Sequence, residues 1–173
     1  MTQLVKKTIR NQKGFTLIEL MIVLVVLGIL TLIAVPSYRE YATRTSRTAA
    51  VSDVQELSLF LERAFSAQGR FDDVATPAQL VNPLPFTFSP QGSGIDGSGN
   101  EFGDPKYTLV SAVTATTYQL TATPFGGQLD DTDCGTLRLD QAGTLCIYPA
   151  SGSAFICSDS ASSTELDAVA ACW

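Results

Sequence analysis

The sequence contains no histidine. That excludes Ser-His-Asp and Cys-His catalysis and most zinc arrangements at once. Basic residues also run out early. Beyond residue 70 only Lys106 and Arg138 remain, against twelve acidic residues. Phosphate binding needs Lys and Arg, so nucleic acid is a disfavoured partner for this half of the chain. None of the four cysteines forms C-x-x-C, and no histidine can complete a metal set, so no metal site is expected. No base stands near a nucleophile, which points to a structural protein rather than an enzyme, with no cofactor. Charge is nearly missing between Phe15 and Val35, where Glu19 stands alone.

That apolar stretch is the dominant feature. At ~1.5 Å per residue it spans the ~30 Å hydrocarbon core of a bilayer. Lys6, Lys7, Arg10 and Lys13 precede it with no acid among them, which places that flank in the cytoplasm. A lone carboxylate inside the membrane costs roughly 2.5–3.5 kcal/mol on insertion scales. A simple anchor gains nothing from one, so Glu19 asks for a cationic partner.

The run Gly14-Phe15-Thr16-Leu17-Ile18-Glu19, with its basic leader, following apolar run, Gly28 and Pro36, resembles the processing region of type IV pilins of the type IVa kind. The resemblance implies cleavage between Gly14 and Phe15 by a prepilin peptidase and methylation of the new Phe15 amine. Ordinary signal peptides lose their apolar region on cleavage; here the anchor would be retained. The resemblance also implies a partner for Glu19, the Phe15 amine of a neighbouring subunit. Such a pair neutralises two costly charges and sets axial register, as buried polar residues do in coiled coils. Removal of the leader changes the net charge from −6 to −10.

Residues 43–70 continue as an amphipathic helix. Val51, Val54, Leu57, Leu61 and Phe65 recur at spacings of three or four, with Phe60 and Ala64 in the same stripe. Arg47, Asp53, Glu56, Glu62 and Arg63 are expected largely off that stripe, and Gly69 is the stop signal. One helix from Phe15 to Gln68 would be about 80 Å long; a break at Pro36 into two helices is the alternative. Pilin filaments resemble the first picture, with the Gly28–Pro36 segment loosened on assembly.

Periodicity vanishes over 71–106, which holds Pro77, Pro83, Pro85, Pro90, Pro105 and a Gly-Ser run. It reads as a long loop, the αβ-loop of pilins, pinned by Phe86 and Phe88, with 91–100 either ordered or a flexible linker. Period-two alternation then marks strands. Tyr118, Leu120 and Ala122 alternate with threonines and Gln119; Tyr107, Leu109 and Ser111 precede them, and Leu137 and Leu139 follow before a turn into 144–148. The expected architecture is α+β, a long N-terminal helix on a four-stranded antiparallel sheet over 107–148. The resemblance implies the type IV pilin fold, with segments 1–14 (leader), 15–42 (anchor) and 43–173 (head), the last ending in a disulfide-closed region, 149–173.

The segment from Thr123 to Asp140 and the terminal Cys172-Trp173 resemble minor pilins of the PilE and ComP kind. Four cysteines permit three pairings, which spacing does not resolve; the favoured one is Cys134–Cys172 with Cys146–Cys157 nested inside. Asp130, Asp131, Asp133 and Asp140 suggest calcium, which some related secretion pseudopilins hold in this region, but they lack the alternating loop with its distal Glu. A solvated acidic turn is the expected state.

The resemblance implies a minor pilin that polymerises into pili, serving adhesion, twitching motility or DNA uptake. A major pilin, a type II secretion pseudopilin and a DNA-uptake receptor are the alternatives. Implied partners are other pilin subunits, the peptidase-methylase and an inner-membrane assembly platform. The subunit would sit single-pass in the inner membrane, head periplasmic, and then in the pilus at the cell surface. Any DNA contact would use a local patch, or Arg44 and Arg47.

Overall fold

The computed structural model describes residues 14–72, 84–152 and 154–173. Residues 1–13, with the four basic residues of the expected leader, and the loop positions around Pro77 and Pro83 lie outside the described residues. The chain divides into two compact units, Met1–Glu40 and Tyr41–Trp173. Helix α1, Leu17–Gln68, contributes to both.

In the first unit α1 is apolar and uncovered. Every side chain from Phe15 to Glu40 is exposed, and the helix is long and apolar enough to cross a membrane. Its few hydroxyls are turned onto its own backbone, Thr31 Oγ1 donating to the Gly28 carbonyl at 2.9 Å and Ser37 Oγ to Ile33 at 3.1 Å. Such self-bonding satisfies these two hydroxyls without a partner outside the helix. Pro36 lies inside the helix; it removes one N–H, and the helix runs through it rather than dividing in two.

In the second unit α1 packs on a six-stranded antiparallel sheet. Its strands are β1 (Phe88–Ser89), β4 (Tyr107–Val113), β5 (Tyr118–Pro124), β6 (Thr136–Asp140), β7 (Leu145–Tyr148) and β8 (Ile156–Cys157), in the order β1-β4-β5-β6-β7-β8. The four central strands are those the alternation marks. The two edge strands have only two residues each, too short to show a period. A separate hairpin, β2 (Gly94–Ile95) with β3 (Glu101–Phe102), orders the Gly-Ser run. Asp96 closes its tip by accepting hydrogen bonds from the Ser98 and Asn100 amides, and the Asn100 contacts hold its carboxyl below the usual range. The run is therefore not a flexible linker.

The core joins Ala50, Val54, Leu57 and Leu61 of α1 to the inward residues Tyr107, Leu109, Leu120, Leu137 and Ile147 of the sheet. Burying each of the Val, Leu and Ile side chains among them stabilises by roughly 1.5–3 kcal/mol. α1 ends at Gln68, where Gly69, at φ +73°, donates its amide to the Phe65 carbonyl. Phe60 departs from the expected stripe and is exposed. Arg47 and Asp53, expected off it, are turned into the head. At 3.6 residues per turn Arg47 leads Ala50–Val51, Val54 and Leu57–Ser58, so helical geometry places it on the buried face.

The C-terminal region contains a helix, α2 (Ser163–Cys172). Its start is a capping box in which Glu165 accepts from the Ser162 amide at 2.8 Å and hydroxyl at 2.6 Å. The signal Ser-x-x-Glu before an apolar run is visible in the sequence, though a serine-rich stretch surrounds it. α2 is fixed by the Cys134–Cys172 disulfide, and β8 by Cys146–Cys157. The favoured nested pairing is the one observed.

Candidate functional site

Of the residues singled out around the anchor, Gly14, Phe15 and Glu19 lie at or just before the start of α1, while Gly28 and Pro36 lie further along it. Thr16 precedes the first helical residue, and Glu19 is the third residue of the helix. The Glu19 carboxylate accepts from the Thr16 amide and hydroxyl, both at 3.2 Å, while Thr16 Oγ1 accepts from the Glu19 amide at 3.3 Å. This is a reciprocal capping box. It gives Glu19 a partner within its own chain and a favourable place near the positive end of the helix dipole. The Thr-x-x-Glu spacing at Thr16–Glu19 is a capping signal visible in the sequence. Phe15 is fully turned to the outside. Gly28 has no atom within 4 Å of where a Cβ would stand, so no contact within the chain requires a glycine there.

The head holds a second polar constellation. Arg47 on α1 meets Asp131, in the turn after the 3-10 segment Gly126–Asp130, through two hydrogen bonds: Nε to Oδ2 at 3.0 Å and a terminal nitrogen to Oδ1 at 2.7 Å. Their side chains are only 13% and 2% exposed. Gln128 Nε2 lies 3.0 Å from the Tyr107 hydroxyl and 3.2 Å from the Thr43 carbonyl, and the Cys134 amide donates to Asp131 Oδ1 at 3.3 Å. Burial, then the Asp131 charge, pushes the Tyr107 hydroxyl up to about 12. This strut fastens the acidic turn to α1. It also changes the reading of that turn. Asp131 faces inward onto a guanidinium, while Asp130 and Asp133 face solvent. The four aspartates are therefore not one exposed set.

Several cations of the head are already engaged. Arg70 pairs with Asp72 and Lys106 with Asp104, each at 2.7 Å. Arg138 on β6 stacks its guanidinium 3.8 Å over the Phe155 ring. Arg47, a candidate for phosphate contact on sequence grounds, is withdrawn into the strut. The outward rows of the sheet carry Thr108, Val110, Thr121, Thr123 and Arg138 in adjacent register, with Asp140 the acid on those central strands.

Near Ser89, burial pushes the Asp53 carboxyl up, opposed by contacts to Ser89 and the Gln91 amide. Even so, Asp53 Oδ2 and Ser89 Oγ are left without a hydrogen bond among the described residues.

No curated protein matches the chain. Residues 9–35 match the prokaryotic N-terminal methylation motif, which covers the Gly14–Glu19 junction and most of the apolar run. Residues 36–138 match a family described as type IV minor pilin ComP, DNA uptake sequence receptor, over the helix, the loop and the sheet through Arg138. With an apolar N-terminal helix, an antiparallel sheet and a disulfide-closed end already in place, the chain belongs to the ComP family of type IV minor pilins, subunits polymerised into pili.

Proposed function

We propose that this minor pilin is cut between Gly14 and Phe15, methylated at Phe15, and held by α1 in the inner membrane with its head outside. It then enters a pilus with other pilins, and there its head takes part in DNA uptake. Glu19 pairs with the Phe15 amine of a neighbouring subunit, and the Gly28–Pro36 segment adapts on assembly. The observation that carries the DNA reading is the match over residues 36–138, which lies almost wholly in the head and not in the shared N-terminal motif.

The electrostatics support one kind of DNA contact. With Arg47, Arg70, Lys106 and Arg138 engaged, few phosphates are neutralised, and recognition rests on neutral polar groups reading bases. The core lies entirely within Tyr41–Trp173, so the soluble fragment 43–173 is a fair test object. Its mobility shift with duplexes selected from a random pool should be sequence-dependent, with a log–log salt slope of only about −1 to −2. No shift for any duplex at low salt would remove the receptor role and leave the pilin role standing.

A further inference from the structure

The two disulfides stand in different chemical settings. Cys134 and Cys172 belong to the apolar core. Cys146 and Cys157 face each other across β7 and β8, at directly paired positions at the edge of the sheet. Cys146 is 3% exposed, whereas Cys157 is half-buried on the outermost strand. A terminal nitrogen of Arg138 lies 3.8 Å from Cys146 Sγ and 3.7 Å from Cys157 Sγ. Phe155 under the guanidinium, itself packed against Tyr148 at 5.1 Å, holds it there.

A cation beside a sulfur stabilises the thiolate, and a thiol of lower pKa is the better leaving group in exchange. We propose that Cys146–Cys157 is a thiol–disulfide exchange site for a dithiol, with Arg138 as the positioning residue that stabilises the departing sulfur. The dithiol's first thiolate attacks Cys157 Sγ, the more accessible sulfur. The bond between the cysteines breaks, and Cys146 leaves as a thiolate against Arg138. The dithiol's second thiolate then attacks its own sulfur in the mixed disulfide and releases Cys157. Two electrons pass from the dithiol to the protein, and the two protons it gives up reprotonate the cysteines. Among the described strands β8 is paired only to β7, so opening this bond removes the covalent tie between the last strand and the sheet. The Cys134–Cys172 bond keeps α2 in place meanwhile.

The test uses the full chain in detergent micelles and dithiothreitol as the dithiol. Aliquots are alkylated over time, and peptide masses report each cysteine pair. Cys146 and Cys157 should become alkylated about tenfold faster than Cys134 and Cys172. Arg138→Gln should slow opening of the first pair about tenfold, with the second unchanged, while Arg138→Lys should keep most of the wild-type rate. Equal opening of both bonds in the wild-type chain overturns the proposal without any variant. So does an unchanged rate in Arg138→Gln. If Arg138→Lys is as slow as Arg138→Gln, packing on Phe155 is responsible and the charge role is wrong.

Discussion

Replacing Arg47 by alanine tests whether the head is held by a buried strut or by an ordinary surface pair. An exposed ion pair contributes about 0–1 kcal/mol. Arg47 and Asp131 are different, with side chains 13% and 2% exposed and two short hydrogen bonds between them. In Arg47→Ala the Asp131 carboxylate stays buried, retaining the Gln128 amide, the Tyr107 hydroxyl and the Cys134 amide, but no cation in its strut. Removing one partner of such a pair costs about 3–5 kcal/mol. For a head of this size that corresponds to a loss of roughly 10–20 °C in Tm. The double variant Arg47→Met/Asp131→Asn should recover a large part of the loss, because no uncompensated charge remains. Urea unfolding of fragment 43–173, read by circular dichroism, gives the loss for Arg47→Ala and, from Arg47→Met, Asp131→Asn and the double variant, the coupling directly. A loss below about 1 kcal/mol in Arg47→Ala, or additive single and double variants, would refute the buried-strut reasoning.

Asp53→Asn should raise the Tm of the head at neutral pH. Because burial raises the folded-state pKa, the folded protein binds the proton more tightly, and wild-type stability should increase as pH falls through that raised value; a pH-independent difference between variant and wild type would contradict this. Tyr107 gives the opposite limb. Its hydroxyl at about 12 against an unfolded value near 10 means that stability is lost as pH rises from about 10 upward, followed by alkaline unfolding with tyrosinate absorbance at the transition. Glu19→Ala should leave insertion and cleavage intact yet sharply reduce incorporation, with Glu19→Gln nearly as poor and Glu19→Asp between; normal incorporation, measured by antibody on sheared filaments, ends the assembly role. Gly14→Val should leave an uncut precursor in the membrane, and mature protein beginning at any residue but Phe15 would disprove the cleavage site.

Local chemistry was written plainly in the chain. The membrane-length run, the Gly14-Phe15 junction with Glu19, the Gly69 stop and the alternation of Tyr118–Ala122 each depend on neighbours within a few residues. Such patterns survive reading in one dimension because helix and strand periods are local. The capping boxes at Thr16–Glu19 and Ser162–Glu165 belong to the same class. Both are legible in the sequence, whereas α2 buries only Val169 and Cys172 and so shows no long apolar stripe.

What the sequence left open is set by contacts between distant residues. Arg47 and Asp131 are 84 positions apart, and nothing local marks either as the other's partner. Helix phase is compatible with Arg47 on the buried face, but its charge argues it off the stripe; only the fold brought a carboxylate that lets it turn inward. The edge strands β1 and β8 exist because longer neighbours offer them free hydrogen-bonding groups, not because two residues prefer extension. Three disulfide pairings were compatible with the spacing. The β7–β8 register chose one by setting Cys146 opposite Cys157, while α2 carried Cys172 to Cys134. The same packing decided that Arg138 lies on sulfur and an aromatic ring, since a side chain's electrostatic role depends on what the folded chain places within a few ångströms of it.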